Sequence, residues 1–163
     1  MQSYKTKKQL QAALDHLAEN DKHLAAAYCE YGAPPIRARP DGFEGLARLL
    51  ISQQVSTAAA SAIQARFDAA IGEINAVNLL AMNDDALAAC GISAPKRRYL
   101  RSLAETVVSD ELDLPALRRA DNETVYDTLI KLTGIGPWTA ECYLLFSLCR
   151  ADIFPSGDLA LQH

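Results

Sequence analysis

The sequence predicts an all-α protein, and three observations carry that prediction. Apolar residues recur at three- and four-residue intervals along nearly the whole chain, the repeat of a helix with one buried face. Short polar residues precede the periodic stretches and Gly or Pro follows many of them, as at natural helix starts and stops. No stretch alternates apolar and polar residues in the manner of a convincing strand.

The elements follow in order. Residues 5–18 read as a first helix, with Leu10, Leu14 and Leu17 on one face. Asp21 is a natural cap for a second helix that runs to Tyr31 and stops at Gly32, before Pro34 and Pro35. Residues 34–42 are a loop, 43–54 an apolar helix, and 56–71 another that breaks at Gly72. Short helices over 76–82 and 84–90 end at Gly91, and Ser93 opens a longer, basic-to-apolar helix that ends near Asp110. A short helix over 114–120 precedes one over 122–132, which leads into a glycine turn. Pro137 then occupies a first helical position, where its missing N–H costs nothing, and its helix runs to Leu148. Residues 159–163 read as the first turn of another helix, so the fold is expected to be C-terminally truncated. Nothing repeats and no internal linker interrupts the chain, so residues 1–163 are expected to form a single domain.

At 163 residues the chain is long enough for a sizeable core. Half of its residues are hydrophobic, yet no apolar run approaches the roughly 20 residues that cross a bilayer. The N-terminus is charged where a signal peptide needs an apolar centre. A cytoplasmic protein is expected, nucleoid-associated if bacterial. Cys29, Cys90, Cys142 and Cys149 form no C-x-x-C pair and match no zinc or disulfide framework, so buried, reduced thiols are expected. The net charge of −4 argues mildly against a nucleic-acid partner, because non-specific DNA binding draws on positive charge. Placement matters more than the sum: Lys96, Arg97, Arg98 and Arg101 cluster, and Lys131 lies just before the glycine turn.

The most informative segment is Leu132-Thr133-Gly134-Ile135-Gly136-Pro137-Trp138-Thr139-Ala140. Two glycines flanking one isoleucine make a tight helix-to-helix turn. Unpaired N–H groups at the start of the second helix then face outward, where they can hold phosphate. Asp158 follows after a helix and a proline–glycine loop, at a distance that can fold back over the hairpin.

With two further blocks, this segment resembles the helix-hairpin-helix DNA glycosylase superfamily. The blocks are Leu50-Ile51-Ser52-Gln53-Gln54-Val55-Ser56, and Gly91-Ile92-Ser93 followed by Lys96, Arg97, Tyr99 and Leu100. Within that family the chain is most similar to the monofunctional branch that removes alkylated purines, the 3-methyladenine type. The resemblance runs from Pro34 to the end. It implies a two-lobed helical fold with a lesion cleft between the lobes, and duplex DNA containing alkylated bases as the partner of a monomer. No cofactor and no metal are expected. The four closely spaced cysteines that hold an iron–sulfur cluster in some relatives do not occur.

The chemistry assigns roles to particular residues. Breaking the bond between base and deoxyribose builds positive charge on the sugar, which a nearby carboxylate stabilises. Asp158 is the catalytic candidate, its alternative being a plain N-cap; Asp152 is the weaker competitor. In the resemblance, strand-cleaving relatives carry a lysine where this chain has Trp138, so no Schiff-base chemistry is expected. Trp138 and Tyr143 are candidates for the base pocket, with core packing as the alternative for each. Gly134, Gly136 and Thr139 are candidate phosphate contacts, although the Thr139 hydroxyl could instead bond back to its own helix. Gln53 and Gln54 are candidates for intercalation, and in the resemblance the intercalating residue falls at Gln54. Lys96, Arg97 and Arg98 read equally as phosphate contacts and as a solvated face. The rival from another class is a non-catalytic DNA-binding module built on the same hairpin, and a further rival is a glycosylase for another base lesion.

Overall fold

Short polar side chains set most of the helix starts. Thr6 forms a capping box with Gln9, Asp21 accepts from the N–H groups of His23 and Leu24, and Ser56 accepts from that of Ala59. In the computed structural model, which describes residues 4–158 and 161, these caps open a wholly helical arrangement. The helices are α1 (Lys7–Asn20), α2 (Lys22–Tyr31), α3 (Gly42–Ser52), α4 (Thr57–Ile71), α5 (Ala76–Ala81) and α6 (Asp84–Ala89). They continue with α7 (Ala94–Val108), α8 (Leu114–Arg119), α9 (Asn122–Leu129) and α10 (Pro137–Cys142). A π-helical turn, Tyr143–Ser147, extends α10. No helix among the described residues is long and apolar enough to cross a membrane.

Helix α3 is the hub. It buries Phe43, Leu46, Leu49, Leu50 and Ile51 against α4, α7, α8, α10 and the π turn. Side chains of this kind each contribute about 1.5–3 kcal/mol when fully buried. Gly45 lets the loop before α3 pass close, since a Cβ there would lie 2.2 Å from the Pro40 carbonyl oxygen. Phe67, Leu79, Leu100, Leu129 and Leu144 complete the same core cluster.

Helices α1 and α2 pack on each other and contain no buried residue. Tyr4 joins this pair to the body: its phenol donates to the Leu145 carbonyl, and its N–H donates to that of Cys149 at 3.2 Å.

The expected continuous helix to Leu148 widens after Cys142. Leu148 N–H reaches back five residues to the Tyr143 carbonyl at 3.0 Å, the spacing of a π turn. Cys142 and Cys149 therefore do not share the face that a regular helix would give them, although both are buried. Cys90 is buried too, whereas Cys29 is exposed, contrary to the expectation of four buried thiols. Leu161 N–H bonds the Asp158 carbonyl at 3.0 Å. The rest of the helical turn expected over 159–163 lies outside the described residues.

Candidate active site

The hairpin between α9 and α10 is built by its two glycines. Gly134 adopts φ +86°, a left-handed conformation that a side chain disfavours. The side chain of Tyr99 from α7 fills the space beside it, so that a Cβ at Gly134 would lie 2.4 Å from the Tyr99 ring. Ile135 is buried and plugs the turn into the core. Gly136 caps α10 without a side chain, and nothing lies within 4 Å of where its Cβ would be. The first turn of α10 thus opens onto space, with the positive end of its peptide dipoles outward.

Asp158 meets this hairpin. The indole Nε1–H of Trp138, in the first turn of α10, donates to the Asp158 carboxylate at 2.9 Å. This hydrogen bond fixes the direction of the carboxylate. The loop that delivers Asp158 begins at Arg150, which is 5% exposed. Its guanidinium donates to the carbonyls of Arg118 at 2.8 Å and Ala120 at 2.9 Å, closing the end of α8. The loop closes with tight turns, Ser156 N–H to the Phe154 carbonyl and Asp158 N–H to that of Pro155. Asp152 lies exposed in the same loop at φ +60°.

The structure reassigns several side chains. Tyr143 is 1% exposed, and its phenol accepts from the Gly42 N–H at 2.9 Å. Burial pushes that phenol up to about 12. It packs in the core here, the alternative that the sequence left open beside the base pocket. The reason is helical geometry: five residues after Trp138 places Tyr143 about 140° around the axis, whereas four places Cys142 about 40° around. Cys142 is buried, and its thiol is pushed up to about 11, first by burial and then by the nearby Asp158 carboxylate. The helical repeat thus places Cys142, which the sequence reading passed over, on the Trp138 side of the helix in place of Tyr143.

Thr139 is 3% exposed, and its hydroxyl accepts from the Gln53 side chain at 3.0 Å. Its side chain is therefore enclosed instead of meeting a phosphate. Gln53 also donates to the Gly134 carbonyl at 2.9 Å. It ties the end of α3 to the hairpin, whereas it was expected, with Gln54, as a candidate for intercalation. Gln54 is different: it is exposed, with φ +54°, at the tip of the turn between α3 and α4. A non-glycine residue in that region is uncommon and costs on the order of 1 kcal/mol or more.

The basic cluster is also mostly occupied. Lys96 Nζ donates to the carbonyls of Ile51 at 2.7 Å and Gln53 at 2.6 Å, and burial lowers its pKa. Arg97 grips both oxygens of Asp84 at 3.0 Å and donates to the Ile92 carbonyl at 2.8 Å. These contacts hold the Asp84 carboxyl below its ordinary value. Lys96 and Arg97 thus brace the fold instead of standing ready for phosphate, and only Arg98 of the three is exposed. Arg39, which the sequence reading passed over, lies in the loop before α3. Its N–H bonds the Phe146 carbonyl, and its guanidinium sits 5.1 Å from the centre of the Phe146 ring.

An all-helical body, an open glycine hairpin and a carboxylate folded back onto that hairpin define a class. The chain belongs to the HhH-GPD superfamily of base excision DNA repair proteins, whose family model matches residues 47–163. Among relatives, it is 33% identical over 154 residues to DNA-3-methyladenine glycosylase 1 of Schizosaccharomyces pombe, covering 92% of this chain and 68% of that protein. It is 27% identical to a putative DNA-3-methyladenine glycosylase of Bacillus subtilis, covering 94% of this chain and 56% of that protein. The solved structure of the Schizosaccharomyces pombe 3-methyladenine DNA glycosylase in complex with abasic DNA superposes with a TM-score of 0.83 at 32% identity. That match covers 92% of this chain and 76% of the other. A DNA-3-methyladenine glycosidase from Bacillus halodurans superposes with a TM-score of 0.80 at 32% identity, covering 98% and 72%.

Proposed function

We propose that this chain is a monofunctional DNA N-glycosylase that flips alkylated purines out of duplex DNA and hydrolyses their N-glycosidic bond. The observation that carries this reading is the Asp158 carboxylate, held by the Trp138 indole at the mouth of the hairpin. A phosphate grip alone has no use for a carboxylate, which would repel the backbone it holds. A base-releasing site needs one. As the bond from C1′ to the base nitrogen breaks, its electron pair leaves with the base and positive charge develops on the sugar. The carboxylate stabilises that charge and directs water to C1′. An alkylated purine is already cationic, so it departs neutral and needs no strong general acid. Trp138 carries no amine, so the sugar is not captured as a Schiff base. The relatives that share most of this chain carry the name of 3-methyladenine glycosylases, which supports the choice of substrate.

The test is base release from methylated duplex DNA, scored together with strand cleavage. The chain should release methylated purines and leave the strand intact. Asp158→Asn should lower the rate by at least about 10²–10³-fold, the scale for removing one group that stabilises transition-state charge, and keep binding to abasic-site DNA. An undiminished rate in Asp158→Asn, or a borohydride-trapped adduct with the wild type, would overturn the reading.

A further inference from the structure

Two parts of this molecule that would touch DNA differently are keyed to one face of α7. Lys96 and Tyr99 stand three residues apart on that helix, hence on neighbouring positions of one face. Lys96 holds the carbonyls of Ile51 and Gln53, which end α3 just before the exposed Gln54. Tyr99 fills the notch at Gly134 in the hairpin. The Gln53 side chain closes the triangle. Its amide nitrogen gives its two hydrogens to the Gly134 carbonyl at 2.9 Å and the Thr139 hydroxyl at 3.0 Å, across 81 and 86 positions of sequence. Gln53 is only partly buried, so water could satisfy this amide at little cost. The bonds are therefore unnecessary for mere solubility of the group. What they fix is distance: the Gln54 tip cannot move relative to the hairpin without breaking one of them.

We infer that Gln53 is a positioning residue that locks the Gln54 turn in register with the hairpin, so that gripping phosphate and driving Gln54 into the base stack occur as one rigid event. This rests on the glycosylase reading. Insertion must replace a flipped nucleotide within the stack, and small slack at such a wedge forfeits much of its effect. Non-specific holding needs the hairpin alone.

Fluorescence titrations can separate the two functions. The probes are an undamaged duplex and the same duplex with a tetrahydrofuran abasic site beside 2-aminopurine, which brightens when unstacked. Gln53→Met keeps side-chain length and removes both donors. It should bind undamaged duplex about as well as the wild type. It should lose about tenfold of the preference for the abasic duplex, the scale of one or two neutral hydrogen bonds, together with the 2-aminopurine signal. Thr139→Ser keeps the acceptor and should behave as wild type. Thr139→Val removes it and should show part of the Gln53→Met loss, with the double variant no worse than Gln53→Met alone. An unchanged abasic preference and signal in Gln53→Met would overturn the inference. So would a parallel fall on both duplexes in Gln53→Met and Thr139→Val, since that is the mark of a hairpin that has simply lost its fold. A wild type that binds neither duplex would instead overturn the glycosylase reading.

Discussion

The helix pair α1–α2 and the body from α3 to the π turn are held together in opposite ways. The pair is capped at both starts by side-chain hydrogen bonds, yet it buries no residue and leaves Leu17, Leu24 and Tyr31 exposed. The body has poorer caps at its most important starts. Asp41 before α3 and Gly136 before α10 make no capping hydrogen bond with their side chains. It relies on burial, with seven residues of α3 enclosed. Local order therefore dominates the pair, and tertiary packing dominates the region that carries the hairpin and Asp158. A site that must hold atoms at fixed distances sits on the second kind of scaffold.

Substitutions can test that contrast. The largest effect is expected from Leu50→Ala at the centre of α3, where the side chain is fully buried. It should cost about 2–5 kcal/mol in urea unfolding, and a value near that of an exposed residue would break the comparison. Gly134→Ala should cost about 2 kcal/mol or more, since it combines φ +86° with a clash against Tyr99. DNA binding should weaken with it.

Tyr143→Phe should cost about 1 kcal/mol at neutral pH, by leaving the Gly42 N–H without its acceptor. It should also change the alkaline response. The phenol lies at about 12 in the fold against an ordinary 10.0. Between those values the unfolded chain has lost a proton that the folded chain keeps, so this tyrosine's contribution to stability falls as pH rises. Tyr4 and Cys142 act in the same direction. The variant should therefore lose stability less steeply than wild type between pH 10 and 12, and identical slopes would place the phenol elsewhere. The smallest effect is expected from Asp21→Ala, about 1 kcal/mol or less. It should appear as faster amide exchange in α2 with little change in global unfolding.

The same contrast explains what the sequence disclosed. Asp21, Ser56, Gly32 and Gly72 act on their immediate neighbours, so the boundaries they set were readable. The hairpin was readable for the same reason, because Gly134, Gly136 and Pro137 dictate the backbone locally. The partners of Gln53, Thr139 and Lys96 were not. Their hydrogen bonds span 43 to 86 positions, and residue type alone does not say whether an amide or ammonium faces solvent or another strand of chain. Asp158 could be singled out by its chemistry, but its bond to Trp138 is a tertiary fact. For Tyr143 the sequence left base pocket and core packing both open, and its burial and its bond from the Gly42 N–H are again tertiary facts.

The π turn bears on how this segment is compared with others. A π turn packs more residues into one revolution than an α-helix does, so positions on either side of Tyr143–Ser147 are out of phase. An ungapped alignment to a chain whose helix stays regular would fall out of register within this turn, and the offset would carry unchanged to Arg150 and Asp158. The irregular turn therefore acts as a phase adjuster, and the length of this helix is as much a part of the site as any side chain in it.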